Sequence, residues 1–373
     1  MHTKIDQLLE QRDPDKLDEY VNSMNQTRWS FMTFVDSLIP YLSMESNLRF
    51  GNFHGVKMAL FLRNLSRTGN FTRETEQAVA QVVLKELFYR DWVRISAAPL
   101  SHSPEVIEDP VRDMLSEIRD GNTHNAFFYA TMASSERRYD LFDALLRVGS
   151  MSLSDTLGHS VSCFYPVLEE IIRVDHPASS TSLLSLIMYL CRFRQTIKDC
   201  DPDEVQALDS PSAQSKLLLQ CASGGGIVNI HHMITFFVFH AWQKADWSSK
   251  SLSPWHQLAE WVGAKDVDQQ RLDFIQTIDA VEIPTNYSQW ETIFAEKDTD
   301  TIVRIAASMV DKDWAQACDW LFRVYAHSYS SDWDPHYYTS LYAAMMLCQD
   351  ETINKRDSKF ALMQALIYFL EDI

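Results

Sequence analysis

Apolar residues recur at three- and four-residue spacings along almost the whole chain, and no convincing stretch alternates with the period of two that a strand needs. The segment from Thr72 to Ser96 is typical: Ala78, Val79, Val82, Val83, Leu84 and Leu87 share one helical face, and Glu74 and Glu76 fall in the first turn, where the helix dipole favours acids. Ser103-Pro104-Glu105 reads as a helix start, and Ser288-Gln289-Trp290-Glu291 fits a capping box ahead of Ile293 and Phe294. The same period predicts helices over 28–44, 135–148, 179–199, 211–221, 253–263, 267–279, 300–310, 312–327 and 357–371. Breaks fall at Pro99–Ser103, Asp201-Pro202-Asp203, Ser223–Gly226 and Val281–Tyr287, and none is long enough to be a flexible linker. The expected fold is all-α: a single large helical domain over 1–373, with a minor break near 201–226, built of helical hairpins around a central histidine-rich cavity.

Composition supports the helical reading. Ten glycines in 373 residues is far below the average of roughly 7%. Few positive-φ turns are therefore available, which favours helices joined by short connections over hairpins. Twenty Phe, 14 Tyr and 10 Trp predict an aromatic interior. The formal charge is −18, and an acidic surface repels phosphate backbones and anionic lipids, so neither nucleic acid nor a membrane surface is an expected partner. Six cysteines without a C-x-x-C pair read as buried thiols. With no apolar leader and no run of 18 uncharged apolar residues, the expected setting is the cytoplasm.

A short signature changes this otherwise bland picture. Asn52-Phe53-His54, Asn122-Thr123-His124, Asn229-Ile230-His231 and Asp334-Pro335-His336 each precede an apolar, helix-patterned segment. Asn and Asp are favoured N-caps and proline suits the first helical position, so each histidine is expected at the second. Gly158-His159 opens a fifth segment, with Asp155 as its expected cap. With His232 included, these places hold half of the 12 histidines. The positive end of the helix dipole keeps such an imidazole neutral, which is its metal-binding form. Rings converging from different helices would suit Zn, Fe, Cu or Ni rather than Mg or Ca, with an anion nearby and Asp155 or Asp334 orienting a ring. The bland alternative is that each histidine simply bonds a neighbouring carbonyl. His2, His102, His176, His256 and His327 read as surface residues, His240 as core beside Trp242, and Lys57 as a solvated lysine one turn after His54. Phosphate-cradling and nucleophile-elbow motifs, H-E-x-x-H and Glu-x-x-His are all absent, as is any flavin motif.

These segments resemble the questin oxidase-like family of helical proteins. The resemblance is carried by His54-Gly-Val-Lys-Met-Ala-Leu-Phe-Leu, His124 leading Asn-Ala-Phe-Phe-Tyr-Ala, Gly158-His159, His232-Met-Ile-Thr235 and the His336 segment. It implies oxygen-dependent oxidation of aromatic polyketide-like compounds at a non-haem iron held by several histidines and, in some members, a carboxylated lysine. The lysine such members carry three residues after the last histidine is here Thr339. The local cap pattern selects His231, whereas the family spacing selects His232. The combined expectation takes His54, His124, His159 and His232 as ligands. His336 and His231 are the catalytic, proton-handling pair, His336 doubling as a candidate ligand. Phe128, Tyr129, Phe236 and Tyr338 would line the substrate pocket. Fe(II) is the expected metal, zinc or another divalent ion the alternative, NADPH a candidate reductant, and dioxygen and a small hydrophobic aromatic molecule the partners. Two other readings stand beside this oxygenase: a non-catalytic helical ligand-binding or interaction protein with an aromatic cavity, and a metal-free enzyme using histidine as general base.

Overall fold

The computed structural model describes residues 2–26, 30–42, 53–89, 107–193, 208, 210–278, 281–328 and 334–371. Gly51, Asn52, the Ser103-Pro104-Glu105 start, His102, Cys200 and the Asp201-Pro202-Asp203 break lie outside the described residues. The fold is all-α, and no strand occurs among the described residues. Most predicted helices are present with shifted ends: Phe31–Leu42, Arg73–Tyr89, Arg138–Ser150, Ser179–Phe193, Pro211–Ala222, Ser253–Val262, Gln269–Gln276, Thr299–Lys312, Trp314–Ser328 and Lys355–Leu370. The capping box at Ser288 is not the one used. Asn286 caps Tyr287–Ala295, its side chain accepting from the Gln289 amide at 3.1 Å. None of the described helices is long and apolar enough to cross a membrane.

Three long helices organise the centre. His54–Arg67 and Ile227–Lys244 each pack against Pro335–Gln349, and the C-terminal helix Lys355–Leu370 covers the last of these. The three are pinned two turns below their histidines by an aromatic plug. Phe61 stacks on Tyr342 at 4.2 Å, and Phe237 meets both rings edge-on at 6.0 and 5.6 Å. Edge and offset contacts between rings fix orientation as well as burying area. The fourth component is a run of short turns, Leu153–Thr156, His159–Ser162 and Phe164–Val167, that passes into a π-helical stretch, Leu168–Ile172. Its anchor is Glu170, a buried carboxylate that accepts from Arg63 at 2.9 Å and from Arg67 at 2.9 and 3.0 Å. Charge-assisted pairs of this kind lock the short turns onto the outer face of the His54 helix.

Candidate metal centre

Four imidazoles meet where these elements converge: His54, His159, His231 and His336. His54 opens its helix at the first position, with Phe53 as N-cap. His336 stands second in its helix, after Pro335, with Asp334 as N-cap accepting from the His336 amide at 2.9 Å, as the sequence pattern predicts. His159 follows Gly158, whose φ of +72° starts the turn. Thr235 Oγ1 and the Trp261 ring crowd Gly158, leaving no room for a side chain there. His231 stands deeper in its helix than expected. That helix begins at Ile227 with Gly226 as N-cap, so Asn229 is not a cap; its amide instead donates to the Gly225 carbonyl.

Hydrogen bonds on the far ring nitrogens fix the tautomers. His159 Nδ1–H donates to the Thr156 carbonyl at 2.6 Å, and His231 Nδ1–H donates to the Ile227 carbonyl at 2.7 Å. His336 Nδ1–H donates to Asp334 Oδ1 at 2.5 Å, and Asp334 in turn accepts from the Tyr368 hydroxyl at 2.6 Å. His159 and His231, held neutral by burial, therefore each present a bare Nε2 lone pair, and Asp334 orients the His336 ring. The Nε2 atoms of the four rings point at one another: His54 to His159 is 2.6 Å, His159 to His231 is 3.0 Å, and His231 to His336 is 3.0 Å. Lone pairs held this close repel unless a cation lies between them. At metal–nitrogen bonds of about 2.0–2.1 Å, adjacent ligand nitrogens stand about 3 Å apart, so the spacing fits a mononuclear metal.

The rings also report geometry. Around the set, neighbouring centroids are 4.5, 4.7, 4.5 and 4.4 Å apart, whereas the His159–His336 diagonal is 6.2 Å. Four short edges with a longer His159–His336 diagonal set the rings in a square-like circuit, unlike the equal separations of a tetrahedron. A metal held by such a circuit of imidazoles would keep room for further ligands, unlike a closed structural zinc site.

Electrostatics agree with metal binding. Burial first, and then the neighbouring imidazoles and Lys57, hold His54, His159 and His231 well below the usual histidine range. Burial alone would raise the Asp334 carboxyl, but the His336 ring and the hydrogen bonds from His336 and Tyr368 outweigh it and hold it far below the carboxylate range. His54, His159 and His231 are thus neutral at physiological pH, with one anion behind His336. A pH dependence follows. Between the depressed folded pKa values and about 6.5, the unfolded chain binds more protons than the folded one, so stability falls as pH falls. Each of the three groups contributes up to about 1.4 kcal/mol per pH unit in that window. Chelator-treated protein should therefore denature at progressively lower urea as pH drops from 7.5 to 5.5. Equal midpoints at the two pH values would contradict it.

The remaining sequence candidates stand elsewhere. The caps at Asn122 and Asp334 form as predicted, but an N-cap says nothing about where a helix points. His124, capped by Asn122, is exposed on the helix Thr123–Glu136 and does not join the other rings. His232 is rotated by one helical residue from His231 and packs edge-on against Trp261 at 4.3 Å. Burial, with Lys265 adding to it, pushes His232 down to about 4. Asp155 is exposed and does not cap the His159 turn; the Thr156 carbonyl orients that ring instead. Lys57 is fully buried rather than solvated. His240 is buried as expected, bonding Asp350 at 2.8 Å. The four expected pocket residues stand on three helices. Phe236 packs on Trp255 at 5.0 Å, Tyr338 lies against Tyr325 and Phe322, and Phe128 and Tyr129 ride on the His124 helix. Comparison of the chain with protein-family models, curated proteins and solved structures finds no match in any of the three.

Proposed function

We propose that this chain is a metal-dependent oxygenase in which His54, His159, His231 and His336 hold one non-haem iron. The observation that carries the proposal is the convergence of four imidazoles from four segments of the chain, with the His159 and His231 Nε2 atoms held as bare lone pairs 3.0 Å apart. A redox-active metal held there supplies electron exchange with dioxygen and Lewis acidity toward a bound substrate. Four neutral imidazoles cancel none of a divalent ion's charge, and Asp334, bonded to His336, offsets one unit. The donor set thus favours substrates that arrive as anions, such as the phenolate of a hydroxylated aromatic ring. Asp334, itself bonded by the Tyr368 hydroxyl, orients the His336 ring through Nδ1. His54, at the partly exposed rim, is the ring beside which an aromatic substrate would enter. The resemblance of the histidine segments to questin oxidase-like proteins points toward the same chemistry.

The experiment is oxygen uptake. Apo protein is loaded anaerobically with Fe(II), mixed with a panel of hydroxylated anthraquinones, and exposed to air in an oxygen-electrode cell. Consumption that needs protein, iron and phenol together, and that disappears in His159→Ala, is expected. Iron bound at one per chain with no phenol-dependent uptake would reject the oxygenase reading in favour of a metal-holding or ligand-carrying protein.

A further inference from the structure

One turn deeper than the histidines, three polar side chains are buried without hydrogen-bond partners among the described residues. Lys57 follows His54 by three residues, Thr339 follows His336 by three, and Thr235 follows His231 by four, so each lies on the same helical face as its histidine. All three are 0% exposed, and Lys57 Nζ, Thr235 Oγ1 and Thr339 Oγ1 make no hydrogen bond among the described residues. A helical side chain leans toward the N-terminal turn, which directs Lys57 and Thr339 back toward the imidazoles, while Thr235 Oγ1 lies against Gly158, the residue before His159. Lys57 is near enough for its charge to act on His54, His159 and His231. Unpaired buried amines and hydroxyls are costly, so a layer of three calls for a ligand that satisfies them. The helices that begin at His54 and Pro335 add the positive ends of their dipoles.

We propose that the inner face of the histidine square is an anion subsite, in which Lys57 with Thr339 and Thr235 grips a small anion on the metal's open position. This rests on the four-histidine metal reading and adds that the inner position is reserved for a small anionic ligand, leaving the rim at His54 to the organic substrate. Lys57 is the counter-ion and the two hydroxyls are donors. The aromatic plug of Phe61, Phe237 and Tyr342 lies one turn deeper on the same three helices, which argues for a ligand of a few atoms.

Azide is the probe. Protein loaded with Co(II) is titrated with sodium azide, following the visible ligand-field bands. One equivalent of azide should bind the wild type. Binding should weaken by about 30-fold or more in Lys57→Met. Thr339→Val should weaken it by a smaller factor while cobalt stays at one per chain. If Lys57→Met does not fold, the wild-type titration and Thr339→Val still decide. A wild-type spectrum unmoved by azide, or equal azide affinity in wild type and variants, would overturn the subsite while leaving the metal centre standing. Failure to take up cobalt at all would overturn both.

Discussion

Replacing His159 or His231 with alanine should abolish tight metal binding, whereas His124→Ala and His232→Ala should leave it intact. His159 and His231 each contribute a bare Nε2 at 3.0 Å from the other, while His124 is exposed and His232 faces Trp261. Losing a residue that merely orients a ligand costs about 10–100-fold in affinity, which is the loss expected for Asp334→Asn. Losing a donor should exceed that. Competition with a chromophoric chelator, together with circular dichroism to confirm folding, measures all five variants. Two results would refute the assignment: His232→Ala matching His231→Ala, or full affinity retained in His159→Ala.

The second large effect concerns packing behind the site. Gly149 lies in the helix Arg138–Ser150, where alanine would ordinarily stabilise by about 1 kcal/mol. Here an added Cβ would fall inside van der Waals contact with the Ser160 carbonyl, and the Ser160 hydroxyl already donates to the Gly149 carbonyl at 2.7 Å. Backbone faces backbone, so neither side can rotate away. Overpacking of this kind costs about 1–3 kcal/mol or more, which reverses the sign expected from helix propensity. Ser160 follows His159 directly, so its displacement should also move one corner of the square. Gly149→Ala should therefore lower both the urea midpoint and metal affinity, whereas Gly225→Ala, with nothing within 4 Å of its Cβ, should change neither. A stabilised Gly149→Ala variant would show that these helices have slack the structure does not reveal.

Helical periodicity was legible in the sequence because each amphipathic stretch is a local property, read within a dozen residues. The cap at Asp334 was legible for the same reason. The ligand set was only half legible. His54 and His159 could be singled out, but the choice between His231 and His232 turns on a rotation of about 100°. That rotation is settled by how Ile227–Lys244 packs against Pro335–Gln349, which no three-residue motif encodes. Asn229 looked like a cap because Asn commonly is one, yet the preceding glycines let the helix start three residues earlier. Glu170 and its two arginines, about a hundred residues apart in the chain, left no local trace at all. Lys57 misled for a related reason: a lone lysine in an apolar helix is usually solvated, and only three-dimensional packing reveals that this one is enclosed.

X-ray absorption on protein loaded with one equivalent of Fe(II) tests the central claim most directly. Four nitrogen scatterers at about 2.0–2.2 Å, with the outer-shell pattern of imidazole rings and room for one or two further light atoms, are predicted. A spectrum fitted by two imidazoles or fewer would contradict it, as would an iron surrounded only by oxygen.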